Sequence, residues 1–401
     1  MEKSAYKYII AGAGLAGASA IEGIRDLDKD NPIVVFGDEK YLPYDRPPLS
    51  KKLWTGQMQK EGIFINEPAF YEENKVELKI GVSVTAINPA KKNVTDSSGN
   101  EYKYEKLLLA TGGRPRVLPI PGGDLDGISY YRYLDDYERI RAQAQEGKSA
   151  LVIGGGFIGS EIAAALNLNK IKVSMLFPES YICKRVFPDY LSEAIQAYYI
   201  QKGVEVLSED KPLSIEKNEG KFLTRTEKGK EKLSDILIVG IGLSPEIKLA
   251  VKANLKTDNG IVVNEFLQTS APDIYAAGDN CFFPCKALGR SMRVEHWDNA
   301  LKQGKHAGEN MAGGGLPFDY IPYFFSDLFE FGYEAAGEID SSLKTFADWQ
   351  EENRKGVIYY LKDDLVRGVM LCNVWKKVGA ARKLILKGER VTEDTLRGAI
   401  K

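Results

Sequence analysis

The sequence predicts an α/β fold, and three observations carry that expectation. An apolar strand at 6–11 runs into Gly12-Ala13-Gly14-Leu15-Ala16-Gly17 and then a helical stretch at 18–27. The same order returns as a strand at 150–153, Gly154-Gly155-Gly156-Phe157-Ile158-Gly159 and a helical stretch at 160–168, with Gly12 and Gly154 142 residues apart. Each copy is followed by a second strand, at 33–36 and 172–177, that runs out toward an acid, Asp38 or Glu179.

Strand, glycine turn and helix in immediate succession form a Rossmann-type unit. The first glycine permits the turn, the second lets backbone approach a pyrophosphate, and the third lets helix and strand pack closely, with the phosphate charge at the helix N-terminus. One such pattern is weak, but two in register with strands and helices point to two bound dinucleotides. Asp38 lies 21 residues after Gly17 and Glu179 lies 20 after Gly159, where a carboxylate takes ribose hydroxyls. A plain turn-capping role for Asp38 stays open. Glu179 would accept from a 2′-hydroxyl and repel a 2′-phosphate, favouring NADH over NADPH, whereas Lys184 and Arg185 just downstream could reach a phosphate.

Composition narrows the remaining classes. The 401 residues suggest two or three domains, and 44% hydrophobic with 27% charged residues fits a folded globular chain. A formal charge of −2 supplies no global field for nucleic acid, and no apolar run reaches the roughly 18 residues that span a bilayer. Met1 to Ser4 lead into the first strand without a cleavable leader, so a cytoplasmic location is expected. Four cysteines and two histidines leave little for a disulfide framework, a zinc site or a Ser-His-Asp hydrolase; no metal is expected.

Further runs carry a family resemblance. These are Tyr-Asp-Arg-Pro-Pro-Leu-Ser-Lys at 44–51, Leu-Ala-Thr-Gly-Gly-Arg-Pro at 109–115, 154–161, Val-Gly-Ile-Gly at 239–242, Ile-Tyr-Ala-Ala-Gly-Asp at 274–279, Arg-Val-Glu-His-Trp at 293–297, and 322–337. Together they resemble the FAD-dependent pyridine-nucleotide oxidoreductases, nearest the group of oxygenase-coupled ferredoxin and rubredoxin reductases, apoptosis-inducing factor and monodehydroascorbate reductase. The resemblance implies an FAD domain at 1–117 and 249–317, an inserted NAD(H) domain at 118–248, and a C-terminal α+β domain at 318–401. It implies that the first unit closes only when 276–279 return to it.

By the same resemblance, FAD is held by Gly12, Gly14, Ala16, Gly17, Asp38, Arg46, Lys51, Val84, Thr111, Gly112, Arg132, Asp279, His296, Trp297 and Phe325. NAD is held by Gly155, Gly156, Phe157, Ile158, Gly159, Glu161, Glu179, Arg185, Gly242, Glu295 and Glu334. Glu295, His296 and Glu334 match nicotinamide-side positions, and Trp297 and Phe325 match aromatics lining the flavin. Lys51 and Glu161 form the implied catalytic pair, a lysine near flavin N5 oriented by a buried carboxylate. For Glu161 a helix-capping role, and for Trp297 and Phe325 a core role, remain alternatives.

The expected activity is transfer of a hydride from NADH to flavin N5, then of electrons to an external acceptor of ferredoxin or rubredoxin type, with monodehydroascorbate or quinone as other acceptors. The cysteine patterns of disulfide-reducing relatives are missing; 42–44 read Leu-Pro-Tyr where a flavin-side cysteine would stand. Cys281 and Cys285 read as structural thiols, with a redox disulfide as the alternative. An NADH-gated, dimerising signalling protein like apoptosis-inducing factor is the competing reading, and a plain NADH oxidase a third; a homodimer is compatible with each. The last segment predicts strands at 355–361, 365–372 and 333–339, a solvated turn at 351–355, and a closing helix at 392–400.

Overall fold

The strand expected at 6–11 forms as Ala5–Ala11, in a computed structural model that describes residues 5–400. The leader reading of Met1 to Ser4, and Lys401, lie outside the described residues. Two compact units are formed. The first comprises the described residues up to Asp45, with Lys60–Arg114 and Ser244–Pro322; the second comprises Arg46–Gln59, Pro115–Leu243 and the described residues from Tyr323 on.

In the first unit a parallel sheet runs in the order Val76–Ile80, Ile33–Gly37, Ala5–Ala11, Glu101–Leu109 and Ile274–Ala276. Ile10 lies opposite Val35 on one side and Leu108 on the other, and Tyr275 lies opposite Leu108. Ile33–Gly37, Ile274–Ala276 and the stretches 8–11 and 107–109 are buried on both faces, which is why they read as continuous apolar runs, whereas Val76–Ile80 at the edge is partly exposed. The strand Glu101–Leu109 changes character along its length. Its first half alternates exposed residues with buried Tyr102 and Tyr104 and pairs antiparallel with Asn93–Asp96. The return expected at 276–279 begins two residues earlier, as the strand Ile274–Ala276 that pairs with Glu101–Leu109.

The helix after the first glycine turn, Leu15–Leu27, packs on Trp297–Met311 through small residues. A Cβ at Gly304 would stand 2.2 Å from the Ala16 oxygen, and one at Gly308 2.2 Å from the Ala20 oxygen. That close approach excludes any side chain at either glycine.

The second unit holds a five-stranded parallel sheet ordered Glu205–Leu207, Lys172–Leu176, Ser149–Ile153, Ile236–Val239 and Ser129–Tyr130. Leu151, Ile153, Leu176, Leu237 and Val239 form its core with Phe222. Its C-terminal part is an antiparallel sheet ordered Tyr323–Leu328, Phe331–Gly337, Leu365–Cys372, Lys355–Lys362 and Lys344–Glu351. The chain is thus mixed α/β with two Rossmann-type sheets and a sheet-rich C-terminal part.

Two expectations are corrected and one helix is added. Both glycine-turn helices begin at Leu15 and Phe157, three residues earlier than read, because Gly14 and Gly156 are extended N-caps and the third glycine already belongs to the first turn. The closing helix spans only Glu393–Leu396: Arg397 is extended, and Gly398 takes a positive φ while donating its N–H to Asp348 at 2.7 Å. A helix at Val378–Lys387 was not foreseen; Gly388, in the left-handed conformation, ends it. Its Ala-Ala-Arg-Lys-Leu run and following glycine were the available signal.

Candidate active site

The two glycine turns separate what the protein needs from what a ligand needs. Gly12 and Gly154 have φ of +124° and +125°, and a Cβ at either would lie 2.1 Å from the Ala110 oxygen or 2.3 Å from the Gly240 oxygen. Gly17 and Gly159 would each place a Cβ 2.0 Å from the oxygen of the first glycine of its turn. These four positions are dictated by the protein's own backbone.

Gly14 and Gly156 are different. Each has ordinary extended backbone, at φ −83° and −86°, and a Cβ at either would meet nothing within 4 Å. Each sits at the N-terminus of a helix whose N-cap makes no side-chain hydrogen bond and whose first turn holds no acid. Backbone open on one side, with N–H groups and the positive end of a helix dipole presented there, fits a pyrophosphate at both turns.

The acids stand at the ends of the second strands. Asp38 is exposed and lies 3.6 Å from the Arg114 guanidinium, which also pairs with Glu246 at 2.5 Å. Glu179 is half-buried and pairs with exposed Arg185 at 2.6 Å. Lys184, the other candidate for a phosphate, pairs with Asp189.

Lys51 and Glu161 meet as the resemblance implied. Lys51 Nζ lies 2.6 Å from Glu161 Oε1, with the carboxylate side chain only 4% exposed. Two hydroxyls join it: Ser50 donates to Oε2 at 2.5 Å and Ser326 to Oε1 at 2.6 Å. The Lys51 ammonium also lies 5.5 Å from the centre of the Phe325 ring. A buried pair is costly to desolvate, and such further donors offset that cost. Across the hairpin from Phe325 stands Glu334, whose carboxyl burial pushes up in pKa despite the N–H it accepts from Lys376 at 3.2 Å.

Within the first unit, Thr111 Oγ1 donates to the Glu246 carbonyl at 2.6 Å and accepts from Asn280 at 2.8 Å, while Gly112 bonds Glu246 through its carbonyl. Arg293 donates to the Asp279 carbonyl at 3.0 Å and pairs with Glu295. His296 is the half-buried N-cap of the helix that Trp297 begins. Val84 lies on the edge strand Val84–Asn88.

In the second unit, Arg46 donates to the Arg132 carbonyl at 3.0 Å and lies over the Tyr133 ring. Phe157 packs edge-on against Phe324, Ile158 is 40% exposed, and Gly242 has a positive φ with open space beside it. Arg46, Lys51, Arg132 and Phe325, grouped with FAD in the sequence reading, belong to this unit.

Three partners were missed. Ser50 and Asp45 lie within the 44–51 run, beside residues that were read; Asp45 accepts from the Trp297 indole at 2.5 Å. Ser326 lies within the 322–337 run, beside Phe325, but nothing in that run shows that folding brings its strand to Glu161. All four cysteines are free and buried; burial pushes Cys183 up to about 12 and raises Cys281 and Cys372 as well. Among the described residues no cluster of potential metal ligands occurs, and no helix is long and apolar enough to cross a membrane.

Residues 6–304 match the pyridine nucleotide-disulphide oxidoreductase family, and 307–354 with 348–387 match the C-terminal part of mitochondrion-associated apoptosis-inducing factor. The chain is 34% identical to apoptosis-inducing factor 1 of Dictyostelium discoideum, over 97% of this chain and 80% of that protein. It is 31% identical to the ferredoxin–NAD(+) reductase component of the Burkholderia cepacia anthranilate 1,2-dioxygenase system, over 96% and 95%. Among solved structures, the reductase of a covalent putidaredoxin reductase–putidaredoxin complex superposes with a TM-score of 0.91 at 32% identity, covering 98% of this chain and 95% of that one.

Proposed function

The chain belongs to the pyridine nucleotide-disulphide oxidoreductase family and is an FAD-dependent NAD(P)H oxidoreductase, and from that premise we propose that it reduces an iron-sulfur acceptor of ferredoxin type, with NADH as donor. The observation that carries this reading is the state of the thiols. Each of the four is buried, and the ionised form is disfavoured at Cys183, Cys281 and Cys372, so electrons leave without a dithiol relay. The ferredoxin reductase component and the putidaredoxin reductase named above support the acceptor class.

Bound FAD supplies acceptance of two electrons from reduced nicotinamide and their release singly or in pairs. The chain's residues supply placement and charge. The turn at Gly12, Gly14, Ala16 and Gly17 holds the FAD pyrophosphate, Asp38 its ribose, and Thr111, Gly112, Asp279, His296 and Trp297 the remainder, with Val84, Arg46 and Arg132 toward the adenosine and phosphates. Gly155 to Gly159, Glu179, Arg185, Gly242, Glu295 and Glu334 take the nicotinamide dinucleotide. Lys51, paired with Glu161 and set over the Phe325 ring, would stabilise negative charge on a bound flavin. The division into 1–117 with 249–317, 118–248 and 318–401, a cytoplasmic location and a homodimer belong to the same reading.

The test is anaerobic mixing with NADH, which bleaches the flavin band, followed by steady-state assay against ferredoxin, rubredoxin, quinone, monodehydroascorbate and oxygen. Turnover confined to oxygen or quinone would remove the iron-sulfur acceptor. A second reading, an NADH-gated dimerising signalling protein, is favoured by the C-terminal match to apoptosis-inducing factor. Slow turnover with every acceptor and NADH-dependent dimerisation in the ultracentrifuge would support it.

A further inference from the structure

The Glu161 carboxylate receives three donors from two separate stretches of chain, 50–51 and the strand that holds Ser326. Oε1 takes the Lys51 ammonium and the Ser326 hydroxyl, and Oε2 takes the Ser50 hydroxyl, all between 2.5 and 2.6 Å. Ser50, Ser326 and Glu161 are respectively 4%, 1% and 4% exposed, so bulk water does not substitute for a missing donor. Among the described residues nothing else bonds this carboxylate.

We propose that Ser50 and Ser326 are positioning residues that fix the Glu161 carboxylate and, through it, hold Lys51 at the flavin. The inference rests on the reading that Lys51 acts on the flavin ring. A buried ammonium–carboxylate pair is worth its desolvation only where further hydrogen bonds satisfy the remaining lone pairs. Each serine hydroxyl fills one such position and anchors the carboxylate in a single orientation toward Lys51.

The oxygens are not equivalent. Oε2 has Ser50 alone, whereas Oε1 keeps Lys51 when Ser326 is lost. Removing Ser50 therefore leaves a buried oxygen without a donor and the carboxylate free to turn, whereas removing Ser326 leaves Oε1 still paired. Ser50 also adjoins Lys51 in the chain and bonds the Pro47 carbonyl weakly at 3.5 Å, so it fixes the lysine's backbone as well.

The experiment measures the flavin midpoint potential of the FAD-loaded protein by dye equilibration from pH 6 to 9, for wild type, S50A, S326A, the double variant, S50T, S326T and K51M. Expected is a lower potential in K51M and a shift of the same sign in S50A. At about tenfold in the reduction equilibrium, that shift is about 30 mV for a two-electron couple. S326A shifts less, the double variant approaches K51M, and the threonine variants return toward wild type because they keep the hydroxyl. Unchanged FAD content and melting temperature in S326A separate positioning from folding.

If K51M leaves the potential at its wild-type value, the lysine does not act on the flavin and the underlying reading fails. If K51M shifts it while S50A, S326A and the double variant do not, the reading stands and the serine clamp is overturned. Equal shifts in the alanine and threonine variants would likewise overturn it, since the hydroxyl would then be irrelevant.

Discussion

The Trp297 indole donates its N–H to the Asp45 carboxylate at 2.5 Å across 252 residues of sequence. Burial pushes Asp45 upward in pKa, and the indole donor partly opposes that rise. Trp297→Phe removes the opposing contact, so the pKa of Asp45 rises further. An acid whose folded pKa exceeds its unfolded value of 3.8 stabilises the fold fully below that value and loses the contribution as pH rises through the folded pKa. The stability of the variant should therefore fall between pH 4 and neutrality more than that of wild type, measured by denaturant unfolding across pH. Parallel curves would remove the coupling.

The two glycine classes predict opposite phenotypes. Gly14→Ala and Gly156→Ala sit at allowed backbone angles with open space, so the apo-protein should lose no stability and gain up to about 1 kcal/mol. Their ligands should suffer: G14A loses FAD on gel filtration, and G156A raises the KM for NADH about tenfold. Gly17→Ala drives a Cβ to 2.0 Å from a backbone oxygen and should cost more than about 3 kcal/mol whether or not FAD is bound. Thermal melts with and without cofactor distinguish the two classes.

Nucleotide preference should follow the Glu179–Arg185 pair. Exposed pairs of this kind are weak, on the order of 0–1 kcal/mol, so Arg185 is free to turn from Glu179 to a 2′-phosphate. Arg185→Ala should lower kcat/KM for NADPH about tenfold and leave NADH within a factor of about three, while Glu179→Gln raises NADPH use. Lys184→Ala, whose side chain is taken by Asp189, should change neither. A large NADPH effect in K184A instead would reassign the phosphate contact.

Acid sensitivity should centre on Asp28. Its carboxylate is desolvated, which raises its pKa, but donors from Lys7, Tyr8 and Asn31 outweigh that and hold it well below the ordinary 3.8. A depressed carboxylate contributes stability above its unfolded pKa and loses it as pH falls through the folded value. Asp28→Asn should therefore destabilise at pH 7 by about 1–3 kcal/mol and flatten the stability loss below pH 4. An unchanged acid limb would show that other carboxylates govern it.

Thiol chemistry should be silent in the native state. With all four cysteines buried, Ellman's reagent should react with none until denaturant is added, and alkylation should not slow turnover. Rapid labelling of one thiol with loss of activity would revive a dithiol or thiolate step.

Much of the site could be read because dinucleotide binding is local. A strand, three glycines, a helix and an acid some twenty residues on lie within one short stretch, and each is fixed by backbone geometry that its own residues impose. Gly12 and Gly154 announce their positive φ by being glycine, and Asp38 and Glu179 by their spacing. The C-terminal sheet was partly legible from alternation, while Val378–Lys387 was passed over and Glu393–Leu396 overextended, since short terminal helices depend on contacts such as Gly398 to Asp348.

The sequence by itself determined the α/β class and the two nucleotide turns, and its resemblance implied a return of the chain at 276–279 and a pairing of Lys51 with Glu161. Tertiary structure alone decided that Ser326 closes on Glu161, that Asp45 holds Trp297, that Arg185 rather than Lys184 stands at Glu179, and that residues 46–59 cluster with 115–243. The division has a physical reason. Backbone strain and helix dipoles are written into a few neighbouring residues, whereas a buried carboxylate is satisfied by whichever donors folding happens to deliver from far along the chain.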